Sequence, residues 1–116
     1  MWLRRGDIVL VPFPNSDLTV GKKRPALIVQ ADDLRTGISQ LVAAMISSNP
    51  KRAGHPSRVF LPMGSPQATG SGLLADSVVM TDNLATMDLK LFRRRLGSLR
   101  DMSAVDAALR ATLSLP

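Results

Sequence analysis

Two apolar runs open the chain, only a loop apart: residues 7–13, DIVLVPF, and residues 25–29, PALIV. Both are rich in β-branched residues and too short for an ordinary helix, so they read as strands. The connection between them carries Pro14, Asn15, Asp17 and Gly21, all turn formers. It ends in Lys22, Lys23 and Arg24. Three cations at the foot of a buried strand point to an anionic ligand at the mouth of a small β-fold.

The rest of the chain extends that pattern. Residues 40–48, QLVAAMISS, form a third apolar run, and residues 49–57, NPKRAGHPS, a basic loop with two prolines. Residues 58–61 read as a short fourth strand, ended by Pro62, and residues 63–72, with three glycines and a proline, as loop. A fifth strand centres on residues 77–80. Residues 82–88 fit either strand or loop, and a further short strand is expected near residues 96–99. Residues 31–37 read as a turn with up to one turn of helix, ended by Gly37. Then the period changes: Met102, Val105, Ala108, Leu109, Thr112 and Leu113 recur at three- and four-residue spacing, an amphipathic helix with one buried stripe. Its start has two candidate caps, a Ser103–Asp106 capping box and Asp101. Five or six short strands and one closing helix predict a mainly β fold, a small, partly open β-barrel with the helix packed on it. Trp2, the only tryptophan, is a candidate cover for one barrel end, and Phe13, Phe60 and Phe92 sit in or beside apolar runs and are assigned to the core.

At 116 residues one domain spanning 1–116 is expected. Cysteine is absent, which removes disulfides and thiolate metal sites and agrees with a reducing, cytoplasmic setting. No apolar run reaches membrane-spanning length, and the opening MWLRRGD lacks a signal-peptide core. The net charge is +6. Solvated lysines and arginines are one reading of that charge, and a polyanionic partner (nucleic acid, a membrane surface or an acidic protein) is the sharper one; nucleic acid suits it better than a membrane, since no long basic amphipathic helix is present.

The inventory for catalysis is thin. His55 is the only histidine, and no phosphate-cradling glycine motif occurs. Asp32 and Asp33 are adjacent carboxylates that more often cap a turn than hold a metal, so no metal and no cofactor are expected. Arginines, hydroxyls and a few carboxylates remain. That set suits cleavage of RNA by its own 2′-hydroxyl, where an arginine fork matches phosphate geometry and steadies developing charge. It equally suits a module that only binds nucleic acid.

The order and spacing of Gly6-Asp7-Ile8-Val9, then Lys23-Arg24-Pro25-Ala26-Leu27-Ile28-Val29, resemble the opening signature of the MazF/PemK/Kid toxins, the mRNA endoribonucleases of toxin–antitoxin pairs. The similarity continues through residues 41–48, 76–79, 82–88 and 95–99, nearly the whole chain. It implies an SH3-like barrel, a homodimer, metal-independent cleavage of single-stranded mRNA to 2′,3′-cyclic phosphate and 5′-hydroxyl ends, and a MazE-type antitoxin. Two other readings stay open: a CcdB-like member acting on a protein target such as gyrase, and a degenerate member that binds antitoxin without cutting.

Carried over position by position, the resemblance makes Arg24 the arginine at the scissile phosphate. The hydroxyl ending the third strand falls on Ser47 in one register and on Ile46 in the other, and one residue decides which face of a strand a side chain takes. Asp82 matches an aspartate that some members use as base, although Met80 stands where those members carry an arginine and Ala85 where another is common. The catalytic set is therefore Arg24, Ser47 and Asp82. Lys22, Lys23, Ser48, Lys51, Arg52, His55 and Arg58 make up the RNA-binding set, while Arg93, Arg94 and Arg95 read as a solvated stretch before the helix.

Overall fold

The computed structural model describes residues 2–116. It contains β1 (Asp7–Pro12), β2 (Lys23–Ile28), β3 (Gln40–Ser47), β4 (Arg58–Leu61), β5 (Ser77–Asp88), β6 (Arg94–Ser98) and one helix, α1 (Ser103–Leu113). The strands form a single curled sheet in the order β4-β5-β3-β2-β1-β6, every neighbouring pair antiparallel. The predicted small barrel with a closing helix is the fold observed.

The central strands are apolar on both faces because each face has its own core. Alternate residues of a strand point to opposite sides. Val9, Val11, Ala26, Ile28, Leu41 and Ala43 pack on one side with Leu3, Phe13, Met87 and Phe92. Ile8, Leu27, Ala44, Ile46, Leu61 and Val79 pack on the other, under Val105 of α1. The helix is tied down at its start by Arg5, whose Nη2 pairs with Asp106 at 2.7 Å while its Nε donates to the Val29 carbonyl at 2.9 Å. Asp106 thus serves an ion pair and not a capping box. The Asp101 carboxylate accepts the Ser103 N–H at 2.9 Å, and Met102 at the cap position contributes no side-chain bond.

Several expectations need correction. Trp2 is 60% exposed and covers nothing; Leu3 fills the core beside it. Phe60 is 43% exposed on β4, an edge strand of the sheet, whereas Phe13 and Phe92 are buried as expected. Residues 31–37 form turns without helix, and Asp32 accepts the Arg5 N–H at 2.8 Å and pairs with Arg4 at 3.1 Å. Residues 82–88 are strand: β5 continues to Asp88 because β3 offers it a full ladder, Gln40 opposite Asp88 through Ala44 opposite Leu84. Of the three consecutive arginines, Arg95 is not merely solvated; its Nε meets the buried Asp7 carboxylate at 3.1 Å.

Two departures from regular pairing shape the working end of the sheet. Between Ala44 and Met45 the β3–β5 register slips, so that Met45 lies opposite Met80 and residues 81–83 are left out of the ladder as a bulge. Thr81, at the bulge, is held from behind: its N–H and Oγ1 both donate to the Ser57 carbonyl, at 3.0 and 2.7 Å, and Oγ1 lies 2.8 Å from Thr112 Oγ1 of α1. The second departure is at Pro25. It pairs with Leu10 on β1, but the β2–β3 ladder begins only at Ala26. A proline has no N–H to give a ladder and settles where one side of the strand is free. The segment after β4 then crosses to the far edge of the sheet, where the Ser98 N–H donates to the Gly70 carbonyl at 2.9 Å.

Candidate nucleic-acid interface

The last β2–β3 pair is Ala26 with Met45. Continuing that antiparallel register two residues brings Arg24 opposite Ser47, on the face of the sheet shared by Ala26 and Met45. Ile46 points the other way, into the core beneath α1, where it is 2% exposed. Of the two residues that sequence alone left open, Ser47 is therefore the one that shares a face with Arg24.

Three arginines are half-buried: Arg5, Arg24 and Arg58. Two of them are satisfied by carboxylates, Arg5 by Asp106 and Arg58 by Asp82. Arg24 has neither an ion pair nor a side-chain hydrogen bond among the described residues. A guanidinium that has lost part of its water and gained no partner is a prepared anion site. Ser47 is buried, and its Oγ accepts the Asn49 N–H at 3.1 Å, which fixes the hydroxyl oxygen and leaves its hydrogen free to donate. Lys22 and Lys23 are exposed beside Arg24, and Ser48 is exposed beside Ser47.

A second group forms around the bulge of β5. Arg58 lies opposite Met80 on the paired strands and grips Asp82 as a fork, Nη2 to Oδ2 at 2.7 Å and Nε to Oδ1 at 3.3 Å. Its Nη1 donates to the Arg52 carbonyl at 3.2 Å, so the basic loop is stitched to the same residue. The Arg58 hydrogen bonds hold the Asp82 carboxyl below the ordinary carboxylate range, with a smaller push in the same direction from the nearby His55. His55 Nδ1 accepts the Ser57 N–H at 3.1 Å and lies 2.7 Å from Ser57 Oγ. Lys51 and Arg52 are exposed on a 3-10 turn, Pro50–Arg52, whose first N–H is capped by the Asn49 side chain at 3.1 Å.

The structure thus sorts the expected site residues into two sets. Arg24, Ser47, Ser48, Lys22 and Lys23 stand at the open end of β2 and β3. Lys51, Arg52, His55, Arg58 and Asp82 stand around the bulge. Val78 is the β5 residue opposite Ser47, whereas Asp82 lies in the bulge beyond Met80, outside the β3–β5 ladder. Its carboxylate is engaged by Arg58, and it shares no ladder position with Ser47. The pairing of Arg58 with Asp82 left no local signal in the sequence, because the two are 24 residues apart and meet only through the β4–β5 ladder.

The model of the PemK-like, MazF-like toxin of type II toxin–antitoxin systems matches residues 4–113. Endoribonuclease MazF2 of Mycobacterium bovis and endoribonuclease MazF6 of Mycobacterium tuberculosis are each 34% identical to this chain over 105 residues, 88% of either sequence. Among solved structures, an endoribonuclease from Mycobacterial species superposes with a TM-score of 0.73 at 22% identity, covering 98% of this chain and 93% of its own. One solved together with its cognate antitoxin gives the same score over 97% of its chain. The MazE–MazF structure from Deinococcus radiodurans gives 0.69 at 20% identity, covering 98% and 97%.

Proposed function

Since this chain belongs to the PemK-like, MazF-like family of type II toxin–antitoxin toxins, we propose that it is the toxin of such a pair and an endoribonuclease that cuts single-stranded mRNA between Arg24 and Ser47. The observation that carries this reading is the half-buried Arg24 with no carboxylate, facing the position of a fixed hydroxyl. In the cut, the substrate's 2′-oxygen bonds to phosphorus and the bond from phosphorus to the 5′-oxygen breaks. One proton leaves the 2′-hydroxyl and one arrives on the departing 5′-oxygen, so the step is balanced with no added water or metal. The products are a 2′,3′-cyclic phosphate and a 5′-hydroxyl.

Charge builds on the non-bridging oxygens as the fifth bond to phosphorus forms. Arg24 offers two parallel N–H groups to those oxygens, and the Ser47 hydroxyl donates a third bond from the neighbouring strand. Lys22, Lys23 and Ser48 lie beside this pair and take adjacent phosphates, with Lys51 and Arg52 extending the track and His55 and Arg58 contacting the RNA beyond it. The same basic surface suits an acidic antitoxin segment of the MazE type, consistent with the relatives solved as complexes. A homodimer in the cytoplasm completes the proposal.

The test is incubation of purified protein with a long mixed-sequence RNA in EDTA, followed by mapping of the ends. Discrete cuts with 2′,3′-cyclic phosphates, abolished by Arg24→Ala, are expected. Intact RNA at high protein concentration overturns the reading.

A further inference from the structure

The bulge of β5 and the end of α1 border an open, shallow cavity of about 440 Å³ lined by His55, Pro56, Ser57, Asp82, Ala111 and Thr112. We propose that this cavity is a nucleobase pocket, in which Asp82 reads the hydrogen-bonding edge of one base of the bound RNA. The proposal rests on the endoribonuclease reading above, whose phosphate site it leaves to Arg24.

The chemistry of the walls points to a base. The volume lies within the range of about 300–1,000 Å³ that small-ligand sites occupy. Pro56 and Ala111 supply apolar wall, and the exposed imidazole of His55 supplies a flat ring of the kind that unstacked RNA bases lie against. With Nδ1 committed to the Ser57 amide, the ring is fixed in orientation. The anionic group lining the cavity, the Asp82 carboxylate, disfavours phosphate there. Asp82 is an acceptor with no proton to give, and the Arg58 fork fixes its plane while each oxygen keeps a free lone pair. Such a group selects bases that present amino or imino donors. Guanine offers two donors side by side and fits best, cytosine and adenine offer an amino group, and uracil, with one imino donor between two carbonyls, fits worst.

The architecture supports the same division of labour. β5 carries Val78 opposite Ser47 and Asp82 at the pocket, so one strand links the cutting row to the reading position at a fixed separation. Thr81, buried and bonded to Ser57 and Thr112, holds the bulge rigid between the loop and the helix. A base selected here is then a constant number of nucleotides from the cut.

Two measurements test this. In the first, wild type, Asp82→Asn and Ala111→Phe each cut a random-sequence RNA pool, and the cut sites are sequenced. Wild type is expected to prefer donor-bearing bases at one fixed offset from the cut, and both variants to reduce that preference by about tenfold or more, the scale of one good base contact. Ala111→Phe fills the cavity from the helix side while leaving Asp82 and its partner Arg58 in the chain, so it separates loss of the pocket from loss of the carboxylate. A uniform fall in rate with the preference intact places Asp82 in the chemistry and overturns the proposal. Failure of wild type to cut anything overturns the endoribonuclease reading instead. The second measurement needs no cleavage: guanosine and uridine, which carry no phosphate, are titrated into the protein and followed by NMR. Guanosine is expected to shift the resonances of His55, Ala111 and Thr112, and uridine to shift them much less. Equal shifts, no shifts, or shifts that follow protein concentration alone, which mark a second copy in the pocket, each overturn it.

Discussion

Arg24 on β2 and Ser47 on β3 stand at matching positions two residues beyond the last hydrogen-bonded pair of their strands. Pro25 is the reason the pairing stops there, and the open mouth it leaves is the site proposed above for the phosphate. Replacing Arg24 by Ala is expected to lower cleavage by about 10²–10³-fold, the usual effect of removing one donor to developing charge. Arg24→Lys is expected to recover only part of this, because an ammonium lacks the two-pronged geometry. Thermal unfolding checks that the loss is chemical: the Arg24 side chain makes no bond among the described residues, so the melting temperature of either variant should stay near wild type.

Ser47 and Ile46 make a contrasting pair. Ser47→Ala removes a donor to the phosphate and the acceptor of the Asn49 N–H, and Ser47→Thr keeps both. Activity is expected to fall in the first and persist in the second. Ile46→Ala, one residue away, opens a hole in the core under α1 and is expected to cost about 2–5 kcal/mol of stability. Single-turnover cleavage at a temperature where all variants are folded separates the two positions. An Ile46→Ala protein that is fully stable but inactive contradicts the assignment of faces.

Much of this fold was legible because it is written in short-range pattern. The runs at residues 7–13 and 25–29 are β1 and β2, the three- and four-residue spacing after Met102 is α1, and Arg24 stands out from its place at the foot of the second run. What was not legible depends on partners distant in sequence. Residues 82–88 are too polar to announce a strand, and they form one because β3 pairs with them. Phe60 looks like core in its apolar run, yet β4 is an edge strand with one uncovered side. Asp82 joins Arg24 only through the resemblance, and the three-residue bulge and the Arg58 fork that hold it are not visible in the local sequence.

The Arg58–Asp82 fork gives a pH signature. The folded carboxyl titrates below its ordinary value because Arg58 stabilises the charged form. A group with a lowered folded pKa contributes stability above the unfolded value, near 3.9, and that contribution is lost as pH falls through the folded pKa. The stability difference between wild type and Asp82→Asn is therefore expected to be flat from about pH 7 to pH 5 and to shrink below about pH 4. It should be modest throughout and weaken with salt, since both side chains remain partly in water. Urea unfolding at several pH values measures it, and an Asp82 titration followed by NMR should move up toward the ordinary value in Arg58→Ala.

Closure of the sheet rests on glycines at the far edge. Gly97 on β6 lies so close to the crossing segment that a Cβ there meets the Gly70 carbonyl oxygen at 2.2 Å and the Ser71 backbone at 2.4 Å. Those atoms are backbone, and the same segment is pinned by the Ser98 N–H to Gly70 bond, so it cannot simply step aside. Gly97→Ala is expected to push the segment off β6, expose the buried Ser71 and destabilise the protein by about 1–3 kcal/mol, the scale of overpacking. Gly64, which has open space around it and φ +81°, is the control. Gly64→Ala adds backbone strain and no clash, at about 1 kcal/mol. Hydrogen exchange distinguishes the two mechanisms. Gly97→Ala should unprotect the Ser98 amide specifically, and an unchanged exchange rate there means that the segment does not close the barrel edge as described.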